Sequence, residues 1–164
     1  MGRCLAIREQ AAGPNSEATA AAYGELALCE WRENKMDKAM DHSTRLLAFA
    51  REAAAKTSAD PGAVYFLASS LVMQGLIGAA MNQSAESQSH WREALSALQP
   101  LMKDAQDISA QATYAEILLC LGRTEEAKPI VQKVVGTGYE DPDLLALCGE
   151  KGLALGEPPN PTKL

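Results

Sequence analysis

Along the chain, apolar residues recur three and four positions apart, in blocks separated by short polar or turn-forming segments. Cys4–Ala12 reads as the end of a helix closed by Gly13-Pro14. Asn15 or Ser16 can cap the next helix, with Glu17 favourable in its first turn and Tyr23, Leu26, Ala27 and Trp31 on its apolar stripe. It runs to Glu33, and Asn34-Lys35 is the turn. Met36, Ala39, Met40, Ser43, Leu46, Leu47 and Ala50 continue the spacing in a helix that fades near Lys56-Thr57. Asp60-Pro61 is a start signal, with Asp as cap and Pro at the first helical position. An apolar helix follows as far as Met81-Asn82, then an amphipathic one from Ser84 to Leu101. Asp107 caps a helix ended by Gly122, Thr124 caps the next, and Asp141-Pro142 starts a last one reaching Leu155. Pro129, just after a first turn, removes one backbone hydrogen bond. The predicted fold class is therefore all-α: seven or eight helices whose short connections favour antiparallel pairs.

Composition supports that class. Hydrophobic residues make up 47% of the 164 but aromatics only 5%, so the apolar mass is Ala, Leu, Val, Ile and Met, residues that favour helices over strands. No glycine or proline occurs between Gly24 and Pro61. A net charge of −6 with scattered basic residues argues against a nucleic-acid face. Four cysteines without a CxxC pattern read as buried thiols in a reducing compartment, with the cytoplasm as the expected location. The charge-free stretch from Pro61 to Ala85 is long enough to span a bilayer, but Ser69, Ser70, Gln74 and flanking Asp60 and Glu86 argue against a membrane and for a helix buried between neighbours.

Internal repetition sharpens the picture. Leu5-Ala6 recurs as Leu47-Ala48. Leu26-Ala27, Asn34, Met36 and Ala39 recur as Tyr114-Ala115, Gly122, Thr124 and Ala127, with the same intervals of 8, 10 and 13 residues. Leu67-Ala68 and Gly75 begin a third copy whose partner alanine is displaced to Ala94, as though an insertion or an extended first helix lay near Gly75 to Ser89. Ala27, Ala39, Ala115 and Ala127 are small enough to let paired helices approach closely.

These residues resemble the tetratricopeptide repeat, in the long variant of kinesin light chains and many bacterial multidomain proteins. Ala6-Ile7-Arg8-Glu9 before Gly13-Pro14-Asn15 is similar to that variant's turn, although its His and second Pro are missing. Thr124-Glu125-Glu126-Ala127-Lys128-Pro129 resembles the opening of its second helix. The resemblance implies antiparallel hairpins stacked as a right-handed superhelix over residues 1–155; the tail at 156–164, with three prolines, reads as disordered from its composition. It implies a concave groove for a protein or peptide, and repeats of this type often accompany bacterial serine/threonine kinase domains. Residues 3–12 look like a second helix without its first, so the chain reads as a fragment of a longer protein, with a bare end able to pair with another copy as a dimer. An extracytoplasmic site on a membrane-anchored parent is the alternative location.

No catalytic constellation is visible. His42 and His90 lack partners at ligand spacing, Asp37 and Asp41 read as solvated charges beside Lys38 or Arg45, and phosphate-loop and nucleophile motifs are absent, so neither a metal nor a cofactor is expected. Mapping the resemblance onto the Leu/Tyr-Ala pairs makes Leu28, Arg32, Tyr65, Ser69, Met73, Thr113 and Glu116 the groove candidates. Leu28, Tyr65 and Met73 are equally readable as core, and Arg32 and Glu116 as solvated charges. A small-ligand sensor with a cavity near Pro61–Met81 is the competing function.

Overall fold

The computed structural model describes residue 13 and residues 16–57, 60–103 and 106–153. Among these residues the protein is all-helical, with no strand. Its elements are α1 Glu17–Arg32, α2 Met36–Lys56, α3 Pro61–Ala80, α4 Ser84–Leu98, α5 Ile108–Cys120, α6 Thr124–Gly136 and α7 Pro142–Glu150, with a 3-10 turn at Leu101–Lys103. The expected helix at Cys4–Ala12, the Leu5-Ala6 copy and the tail at 156–164 lie outside the described residues. The chain divides into two compact units, Met1–Ala94 and Leu95–Leu164.

Side-chain caps set the helix starts where the sequence placed an acceptor. Ser16 accepts from the Thr19 N–H, Asp60 from Gly62 and Ala63, Asp107 from Ser109 and Ala110, and Asp141 from Asp143 and Leu144. Thr124 does not cap α6. It is the first helical residue, and Arg123 occupies the cap position without a side-chain bond. The preceding turn explains this, because it delivers the chain directly into α6.

That turn occurs four times with the same hydrogen bonds. Asn34, Asn82, Gly122 and Gly152 all have left-handed backbones, at φ 58°, 61°, 73° and 67°. One residue later, the N–H of Lys35, Gln83, Arg123 and Leu153 donates to the carbonyl five residues back, on Glu30, Gly78, Leu118 and Cys148, at 2.7–2.9 Å. This is the Schellman closure, which satisfies carbonyls at a helix end and reverses the chain. Met36, Ser84 and Thr124 open the next helix two residues after the first three turns.

With the turns as reference, the expected third copy has to be re-registered. The reversal lies at Asn82, not Gly75, so Gln74-Gly75 correspond to Leu26-Ala27 and Tyr114-Ala115, and Ser87 corresponds to Ala39 and Ala127. Of the two expected explanations, an insertion or an extended first helix, the second holds: α3 continues through Gly75 to Ala80. Burial keeps the same phase: Ala27, Gly75 and Ala115, then Ala39, Ser87 and Ala127, then Leu46, Ala94 and Val134 are all buried. Gly75 reads as a turn in sequence because glycine commonly forms one, yet here it serves packing. A Cβ at Gly75 would fall on the indole ring of Trp91, and one at Gly78 would lie 2.8 Å from the Ser87 hydroxyl. The third hairpin fills the equivalent positions with Ala115, larger than Gly75, and Val131, smaller than Trp91.

In the first unit, α2 packs against both α1 and α3. Ala27 and Ala39 meet Ile77 of α3, while Tyr23 and Leu46 are flanked by Phe49 and Phe66, whose rings meet edge to face. Among the described residues, α3 is the one helix long and apolar enough to cross a membrane, and 44% of its most apolar window is buried inside the fold. It packs on α2 on one side, where the Gln74 amide donates to Thr44 at 2.9 Å, and receives Trp91 of α4 on another. Packing from two sides accounts for much of that apolar composition. In the second unit, Ala112, Ala115, Leu118 and Leu119 of α5 join Ala127, Val131 and Val134 of α6, and Leu144 and Cys148 of α7 close the cluster.

Two predictions follow from the turns and the small contacts. Gly75→Ala should destabilise by about 1–3 kcal/mol through overpacking against Trp91. Adding Trp91→Val should recover part of that loss, because the pair then matches Ala115/Val131; urea titration of both single variants and the double gives the coupling. At the second turn, Asn82→Ala should cost roughly 1 kcal/mol while Asn82→Gly is tolerated, since alanine pays the left-handed penalty and glycine does not. Equal thermal midpoints for those two variants would refute the assignment.

Candidate functional site

Leu28 and Arg32 lie one helical turn apart on α1, and Tyr65, Ser69 and Met73 form a stripe on α3 in the same unit. Arg32 is exposed, and the other four are half-buried. Met73 is packed against both small clusters of the first unit, touching the Tyr23/Leu46 group and the Ala27/Ala39/Ile77 group, so it fills space between α3 and the first hairpin. The Ser69 hydroxyl is buried without a hydrogen-bond partner. Thr113 and Glu116 belong to the second unit and have their own surroundings.

The turn register shows which residues share a position. Leu28, Leu76 and Glu116 stand six residues before Asn34, Asn82 and Gly122, while Arg32, Ala80 and Cys120 stand two before. Leu76 and Ala80 fall outside the sequence-derived set because that set registers the middle copy on Gly75 rather than Asn82, whereas Cys120 follows from the unchanged Gly122 register.

Glu116 is not the solvated charge its sequence context suggested. Burial is the main reason its pKa rises to about 7, and Asp141 and Asp143 at the start of α7 push it in the same direction. One turn further on, burial together with Glu116 and Glu150 drives the Cys120 thiol up to about 12, against the opposing pull of Lys151. Both groups are desolvated on α5, on which α7 packs. Cys120 is therefore a neutral thiol at physiological pH, unsuited to nucleophilic attack. Cys29 and Cys148 are free as well, the latter fully buried, with burial again raising its pKa.

The two histidines occupy equivalent places, eight residues after Asn34 and Asn82. His42 Nδ1 meets the Glu30 carboxylate of α1 at 2.6 Å, and its ring stacks on Tyr23 at 5.9 Å between centroids. Arg45 lies over the same Tyr23 ring at 5.7 Å and pairs with Asp41 at 3.3 Å. Glu30 and His42 are distant in sequence and meet only because the turn at Asn34 folds the hairpin, so spacing rules for metal sites could not reveal the pair. At the second position Gly78 replaces the carboxylate. Burial, then the nearby Arg51 guanidinium, lowers the His90 pKa. Among the described residues, no group of three or more His, Cys, Asp or Glu is placed to hold a metal ion.

A recess of about 330 Å³ opens in the second unit, lined by Met102 of the 3-10 turn, Gln111 and Tyr114 of α5, and Pro129, Ile130 and Lys133 of α6. It lies on a different helix pair from the cavity expected near Pro61–Met81. Known proteins give no further guidance: no family model matches the chain, and no curated protein matches it.

The Glu116 environment makes stability depend on pH. Its folded pKa of about 7 exceeds the ordinary glutamate value of 4.5, so the unfolded chain ionises first as pH rises. Stability should be unaffected by this group below pH 4.5, fall between 4.5 and 7, and level off above 7, by an amount on the order of 3 kcal/mol. Glu116→Gln should accordingly stabilise the protein at pH 8 and leave it nearly unchanged at pH 4. Denaturant midpoints at the two pH values check this, and a pH-independent effect would contradict it.

Proposed function

We propose that the chain is a non-catalytic protein-interaction module of the tetratricopeptide type, its hairpins stacked as a right-handed superhelix and its first helices presenting a peptide-binding face. The observation that carries this reading is the hairpin unit itself. A Schellman turn, a buried small residue on each side and a helix starting two residues after the turn recur at Asn34, Asn82 and Gly122. Stacked hairpins of this kind bury one continuous core and expose side chains at repeating positions, which suits extended binding surfaces better than a single reactive centre.

Arg32, Tyr65 and Ser69 are the residues of the first unit assigned to partner contact, with Leu28 and Leu76 as their apolar neighbours in the register. Met73 supports the face from beneath. In the second unit Thr113 and Glu116 occupy the corresponding helix, and desolvated Glu116 offers a partner a neutral hydrogen-bond donor below pH 7.

Affinity capture from lysate tests the reading, with Arg32→Glu/Tyr65→Ala as the variant and exposed Arg92→Glu as the control. The captured protein should be at least tenfold depleted with the double variant and retained with the control, both variants keeping the parent melting curve. Equal retention by the double variant would remove the face from the proposal.

A further inference from the structure

Outside the face just described, the recess between α5, α6 and the 3-10 turn combines three features of a ligand site. Its volume, about 330 Å³, falls in the range of small-molecule pockets, which begins at about 300 Å³. Met102, Pro129 and Ile130 give it apolar walls, with the Pro129 ring set in mid-helix where the backbone carries no N–H. Three polar groups of different kinds line it: the side chain of Gln111, itself only 6% exposed, the Tyr114 phenol and the Lys133 ammonium.

The charge distribution selects the ligand. Arg123, the cap residue of α6, is neutralised by two hydrogen bonds to Glu126 at 2.7 Å. Lys133 has no carboxylate partner among the described residues. A recess with apolar walls and one uncompensated cation matches a monoanion with a compact apolar body. A phosphate dianion would call for more than one cation or a helix N-terminus, whereas the lining supplies a single cation, Lys133.

We propose that this recess binds an apolar carboxylate, through Lys133 and Gln111 at the anion and Met102, Pro129 and Ile130 around the body. The same chemistry is presented by a free small organic acid and by the apolar C-terminal residue of a peptide.

Titration of the isotope-labelled full chain with 3-phenylpropionate, followed by backbone amide shifts, is the test. Saturable shifts confined to residues 101–103, 108–114 and 127–135 are expected, with binding roughly tenfold weaker for 3-phenylpropionamide and for Lys133→Gln, the loss of one charge-assisted contact. Lys128→Gln, an exposed lysine of the same helix outside the recess, should bind like the parent. An acetylated tripeptide ending in phenylalanine identifies the source: tighter binding than the free acid indicates a chain end, and weaker binding a small metabolite. Unsaturable or scattered shifts, or equal affinity in parent and Lys133→Gln, would overturn the proposal.

Discussion

How closely two antiparallel helices approach just beyond a left-handed turn governs most of this molecule. Ala27 and Ala39, Gly75 and Ser87, and Ala115 and Ala127 are fully or almost fully buried because nothing larger fits at those positions once the chain has reversed. The turn and the small residues depend on one another. Schellman closure brings the helices together two residues after it, and only small side chains let them stay there. Larger residues are then displaced from the seam: Leu46 and Met73 pack between the first hairpin and α3, and Val134 packs in the cluster that α7 closes.

The same constraint explains where size is traded. In the α3–α4 hairpin a tryptophan, Trp91, sits directly over a glycine, Gly75, in the seam. The exchange leaves the Trp91 indole N–H and the Gln74 carbonyl oxygen buried without partners, a local cost that the other hairpins avoid. Unlike the alanine contacts, this seam depends on a matched pair of residues and cannot change one at a time.

Much of this architecture is legible in sequence, and the reasons differ element by element. The caps at Asp60, Asp107 and Asp141 are visible because a carboxylate reaching an N–H two or three residues on is a local event. The helix stripes are visible because burial follows the 3.6-residue period. Gly75 misleads because glycine at a turn and glycine under a tryptophan look alike until Trp91, sixteen residues later, is placed on it. Likewise the Glu30–His42 pair and the desolvation of Glu116 arise from elements that meet only after folding. The candidate face is legible at the level of helix stripes, through Arg32 and Tyr65, whereas the recess at Lys133 needs Met102 and α6 brought together and leaves no pattern in the sequence.

The hairpin turns also say where this protein can change length. Glu33–Lys35, Met81–Gln83 and Leu121–Arg123 each take three residues, and a fourth would break both the left-handed closure and the phase of every buried small residue after it. The joints between hairpins, from residue 56 to 61, 98 to 108 and 136 to 142, already differ in length from one another. Insertions, tags or permuted termini are therefore accommodated at these joints rather than within a turn.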